Sequence, residues 1–80
     1  MPLEGVRVLI IGGGELAARK MRLLSAANAA ITTIAPTIEV ALRDEFQGRA
    51  ELIEREATGD DFVGATLAII AVDDLSLIHI

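Results

Sequence analysis

Residues 8–20 read VLIIGGGELAARK: an aliphatic, β-branched run, three consecutive glycines, then a segment of helical character. Few folds accept that order. A buried strand that turns into a helix within three residues needs main-chain approaches that side chains obstruct. Gly12-Gly13-Gly14-Glu15-Leu16-Ala17 matches G-x-G-x-x-A. In that pattern Gly12 makes the tight turn, Gly14 lets the backbone approach a pyrophosphate, and Ala17 lets the helix pack close to the strand. The N–H groups at the helix start then face the anion. The motif is weak alone, and here it has the strand before it and the helix after it that give it meaning. Glu15 suits the positive end of the helix dipole. Its side chain is expected to face solvent, so any cofactor contact there runs through its backbone.

The rest of the chain alternates in the same manner. Residues 6–11 are predicted as a buried strand and residues 15–27 as a helix, with Leu16, Lys20, Leu23, Leu24 and Ala27 on one stripe and Arg19 and Arg22 flanking it. Asn28 tolerates the left-handed conformation of a helix C-cap. Residues 29–35 form a second strand closed by Pro36, and Thr37 is placed to cap a helix over residues 38–46 that Gly48 ends. Residues 51–55 form a short third strand, residues 59–64 a turn or single helical turn, and residues 67–72 a fully apolar fourth strand. The expected class is α/β: the first half of a Rossmann-type three-layer fold, with a parallel sheet in the order 3-2-1-4.

Composition narrows the function classes. With 80 residues the chain is one small domain, and with two Phe and no Trp or Tyr its core is built from Ala, Val, Leu and Ile. A net charge of −5 argues against nucleic acid as a partner. The absence of cysteine excludes disulfides and thiolate metal sites and suits a reducing cytoplasm. No apolar run approaches the ~20 residues of a membrane span, and the N-terminus lacks the pattern of a signal peptide. No metal site is expected.

The last six residues, LSLIHI, break the pattern. They are the translation of CTG-TCT-CTT-ATA-CAC-ATC, a transposase recognition end used in preparing sequencing libraries. The expectation is a domain over residues 1–74, cut at Asp74, with residues 75–80 a non-native, adapter-derived tail; the competing reading is a genuine apolar C-terminus.

VLIIGGGELAARKMRLL, then ITTIAP, then FVGATLAIIAVDD resembles the N-terminal domain of siroheme synthases, which are precorrin-2 dehydrogenases and often sirohydrochlorin ferrochelatases. The resemblance covers residues 3–74. Leu16 stands where the family usually has Val, Asn28 where Gly is common, and Val72 where Thr is usual. The resemblance implies transfer of hydride from precorrin-2 to NAD, giving sirohydrochlorin. It implies cofactor contacts at Gly12, Gly13, Gly14, Glu15, Leu16, Pro36 and Thr37, with Val72 and Asp73 at the fourth strand's exit. It also implies a homodimer and places the family's catalytic Asp downstream of Asp74, so this chain has no catalytic residue of its own.

The usual ribose-binding acid, about 20 residues past the glycine loop, is missing: that stretch reads Ile34-Ala35-Pro36-Thr37, and the nearest acid, Glu39, is expected inside the next helix. The family lacks this acid too, and NAD versus NADP is unreadable from the rule. Asp73-Asp74 is a poor acid/base pair, because adjacent extended residues face opposite sides. Arg19, Lys20 and Arg22 form either a solvated face or an attraction for an anionic tetrapyrrole. A nucleotide-sensing module without catalysis, or a family member that has lost it, stays open as the alternative function.

Overall fold

In the computed structural model, which describes residues 4–71 and 78–79, β1 (Arg7–Ile11) lies at the centre of the sheet. It pairs in parallel with β2 (Ala30–Ala35) on one side and with β5 (Leu67–Ile70) on the other. β3 (Glu51–Glu54) pairs in parallel with the far side of β2, giving the order β3-β2-β1-β5. This is the expected 3-2-1-4 arrangement; the label shifts because a short strand, β4 (Ala57–Thr58), intervenes in the chain. With neighbours on both edges and layers on both faces, β1 has no solvent side. Val8, Leu9, Ile10 and Ile11 are all buried, hence the unbroken aliphatic run.

Alternate residues of β1 feed two cores. Val8 and Ile10 pack with Ile31 and Ala35 against helices α1 (Glu15–Ala26) and α2 (Val40–Phe46). Leu9 and Ile11 pack with Ile34 on the other face, covered by Ala57, Phe62 and Ala65. Met21 of α1 and Phe46 of α2 are fully buried, and burial of such side chains contributes about 1.5–3 kcal/mol each.

The buried face of α1 shares only Leu24 with the predicted stripe. Ala17, Ala18, Met21 and Leu24 face the sheet, whereas Leu16 is 41% and Leu23 71% exposed, and Lys20 is exposed. The true face lies about 120° around the helix from the predicted one, at ~100° per residue. The reason is proximity. A helix that leaves β1 through only three residues crosses it closely, and alanines fit that gap where leucines do not. At its end the helix turns as expected. Asn28 adopts φ +62°, with Asn28 N–H donating to Ser25 O and Ala29 N–H to Leu24 O. This is a Schellman closure with Asn in the usual glycine place.

α2 begins later than predicted. Residues 36–39 stay outside the helix, its N-cap is Glu39 rather than Thr37, and no side chain caps it. Thr37 is exposed and Ile38 is buried in the helix-side core. Tertiary contacts described below hold this segment and override the local capping preference. Gly48, at φ +82°, follows the helix end as predicted.

Below β3, a 3-10 turn (Gly59–Phe62) carries Phe62 under the sheet. Its capping box is reciprocal: the Thr58 side chain and N–H engage Asp61, and Arg55 adds a two-pronged pair to the same carboxylate at 2.6 and 2.9 Å. The arginine and the Thr58 N–H hold Asp61 near a pKa of about 2, down from 3.8. Because the folded value lies below the unfolded one, this stabilisation is fully present above pH ~3.8 and fades as pH falls through ~2. Asp61→Asn is therefore expected to lower the melting temperature by a few degrees at pH 7, with the gap to the parent closing below pH 4 in thermal scans. A gap that is constant down to pH 2 would contradict the pairing.

β6 (Ile78–His79) lies parallel to β4, with Ala57 beside Ile78 and Thr58 beside His79. Among the described residues no helix is long and apolar enough to cross a membrane.

Candidate functional site

In an open parallel sheet, ligands bind beyond the carboxyl ends of the strands where the order reverses. Here that point is the end of β1, between β2 and β5. Gly12, Gly13 and Gly14 lie there at the head of α1, and Pro36 and Thr37 leave β2 beside them. The structure brings Gly12 to Leu16 and Pro36-Thr37 to one mouth. Val72 and Asp73 lie outside the described residues.

The three glycines do different work. Gly12 has φ +150°, and a Cβ there would come 2.5 Å from the Ala71 carbonyl oxygen. A Cβ on Gly13 would strike the Thr37 carbonyl oxygen and lie 2.9 Å from the Ile38 Cα. Both are glycine because the protein's own backbone closes on them. Gly14 differs: its Cβ would meet only the carboxylate of Glu39, Oε2 at 2.8 Å and Cδ at 3.7 Å. Its outer side faces a movable side chain rather than backbone. That is the space a closely approaching anion requires, and the loop fits a dinucleotide pyrophosphate on this observation.

The helix end supplies the donors. Ala18 N–H is the first to bond within the turn, to Gly14 O at 3.0 Å. The N–H groups of Glu15, Leu16 and Ala17 precede it and have no intrahelical acceptor; the cap residue, Gly14, offers no side chain for them. Glu15 turns away from the mouth as expected, 3.4 Å from Arg22 and 4.0 Å from Arg19.

Three groups hold the mouth in shape, two of which, Thr33 and Glu54, no sequence motif singled out. The Thr33 hydroxyl, fully buried, donates to the Gly12 carbonyl oxygen at 2.6 Å and fixes the end of β1 to β2. Glu39 N–H donates to Gly13 O at 2.8 Å, so the segment after β2 is tied to the glycine loop itself. The Glu54 carboxylate, at the end of β3, accepts the Ile38 N–H at 2.9 Å and lies 3.6 Å from Arg43. Glu54 was findable once the strand order was assumed, because it stands beside Ala35 in the register.

The basic cluster on α1 is partly spent. Arg22 grips Glu45 of α2 through Nε at 2.7 Å and Nη2 at 2.9 Å. That bond holds the Glu45 carboxyl below the ordinary carboxylate range. Arg22 thus joins the two helices, which removes it from the anion-attracting surface considered above. A groove of about 800 Å³ opens on the opposite sheet face, lined among others by Arg7, Thr32, Glu51 and Val63. None of the glycine-loop residues lines it.

Comparison with known proteins identifies the family. Residues 1–78 match the family model described as "Putative NAD(P)-binding". A siroheme synthase of Pseudomonas fluorescens strain SBW25 is 49% identical over 73 residues, covering 90% of this chain and 16% of that protein. The siroheme synthase of Stutzerimonas stutzeri strain A1501 is 48% identical over the same share. Among solved structures, "SirC, precorrin-2 dehydrogenase" superposes with a TM-score of 0.86 at 27% identity, over 96% of this chain and 39% of that one. The chain therefore spans about one sixth of the length of the curated relatives it matches.

Proposed function

Since the chain belongs to this NAD(P)-binding family, we propose that it is the cofactor-binding part of an NAD-dependent precorrin-2 dehydrogenase of siroheme biosynthesis, working in the cytoplasm as part of a homodimer. The observation that carries the reading is the unequal glycine loop. Gly12 and Gly13 are sealed by backbone and Gly14 is open at the head of α1, in a chain similar to siroheme synthases along nearly its whole length.

In this reading the pyrophosphate of NAD lies over Gly14, met by the N–H groups of Glu15 and Leu16 and by the positive end of α1. Pro36 and Thr37 line the side where β2 ends, and contacts from Val72 and Asp73, which follow β5 in sequence, are part of the proposal. When bound, NAD supplies a hydride acceptor. The chain's own part is to hold and orient it: Thr33 fixes the Gly12 carbonyl, and Glu54 and the Gly13 carbonyl fix the segment after β2. The acid that acts on the tetrapyrrole belongs to sequence after Asp74, and residues 75–80 are read as a non-native tail. The relatives matched are siroheme synthases, and no observation favours a nucleotide sensor.

The test is a graft. Residues 1–74 replace the corresponding segment of the Pseudomonas fluorescens siroheme synthase, and the chimera receives precorrin-2 and NAD. The expected result is growth of the reduced-nicotinamide absorbance at a rate within about tenfold of the parent, because differences of ~1.4 kcal/mol are what a modest change of contacts brings. A folded, NAD-binding chimera that does not oxidise precorrin-2 would reject the reading.

A further inference from the structure

We propose that Glu39 is the residue that selects the cofactor: its carboxylate takes the ribose hydroxyls of the adenosine half and turns away a 2′-phosphate, so the chain prefers NAD to NADP. This rests on the reading of the glycine loop as the cofactor's seat.

Dinucleotide folds usually place an acid at the exit of β2 for this purpose, and none stands there in this chain. The structure supplies one from a different position. Residues 36–39 do not enter α2 but fold back against Gly13, held by Glu39 N–H to Gly13 O and by Ile38 N–H to Glu54. That bend delivers the Glu39 carboxylate to the outer side of Gly14. Among the described residues this carboxylate has no hydrogen-bond or ion-pair partner, and it does not cap α2. A carboxylate with two unoccupied oxygens matches a pair of neighbouring hydroxyls. Glu39 is exposed, so its tip is free to leave Gly14 to an incoming phosphate while its N–H stays fastened to Gly13 O. A 2′-phosphate would meet this negative charge, and Arg43 of α2, the next cation along the chain, is engaged with Glu54 at 3.6 Å.

The experiment titrates the 80-residue chain and its Glu39→Gln and Glu39→Ala variants with NAD and with NADP by calorimetry, with circular dichroism to show that each remains folded. The parent is expected to bind NAD on the order of tenfold or more tighter than NADP, the scale of one like-charge contact near a surface. Glu39→Gln should bring the ratio close to one by improving NADP, and Glu39→Ala should also weaken NAD. A parent that binds both equally, or a ratio unchanged in Glu39→Gln, overturns the role of Glu39 while leaving the cofactor seat standing. A parent that binds neither overturns both.

Discussion

Gly13→Ala is expected to destabilise the fold by about 3 kcal/mol, the upper end of what a single methyl forced into a packed interior costs. The added Cβ would strike the Thr37 carbonyl oxygen, and the Ile38 Cα and Ala35 Cβ stand at 2.9 and 3.1 Å. Two of those three neighbours are backbone, so no rotamer change relieves them. Relief requires pushing residues 37–39 off the glycine loop, which breaks the Glu39-to-Gly13 and Ile38-to-Glu54 hydrogen bonds. A chain this size holds roughly 4–12 kcal/mol of stability, so the loss is a large share of the whole. Thermal unfolding should show a midpoint lower by roughly 12–24 °C. A midpoint within two or three degrees of the parent, by circular dichroism, would show that the segment after β2 does not rest on Gly13.

Gly14→Ala should behave in the opposite manner. Gly14 has φ −115°, which any residue adopts, and its added methyl meets only the tip of an exposed glutamate. The cost to folding is the replacement of glycine by alanine at an N-cap, under about 1 kcal/mol. The same methyl, however, stands in the space assigned to the pyrophosphate. Affinity for NAD is expected to fall by about tenfold to a hundredfold, the equivalent of 1–3 kcal/mol of overpacking. The two neighbouring glycines thus separate folding from binding. A Gly14→Ala chain that keeps full affinity for NAD would show that the anion does not approach there.

Much of this was legible in the sequence where local chemistry and tertiary demand agree. The aliphatic run of β1, the glycines after it, Asn28 at the end of α1 and Gly48 after α2 each carry one unambiguous instruction, and the parallel order followed from the alternation of elements. The errors share a cause: they lie where distant contacts decide. Leu16 and Leu23 look like core and Ala18 like filler, although the motif had already marked Ala17 for close packing of α1 on β1. Thr37 looks like a helix cap, yet its carbonyl is pressed against Gly13 and the helix waits until Val40. Glu39 looks like part of that helix, and only the bend after β2 carries it to Gly14. The glycine motif lies where the strand order reverses, as its strand-then-helix context requires. Thr33 and Glu54, which shape it, depend on the registers of β2 with β1 and with β3, and no short-range pattern contains them.

In the proposed function the loop Gly12 to Leu16 seats a dinucleotide. The most direct measurement is a titration of the ¹⁵N-labelled chain with NAD, following every backbone amide. Saturable shifts are expected to centre on Gly13, Gly14, Glu15 and Leu16, extend to Thr37 and Glu39, and spare the groove around Arg7 and Thr32. Saturable shifts confined to that groove, or none at all in a folded chain, would contradict that seating.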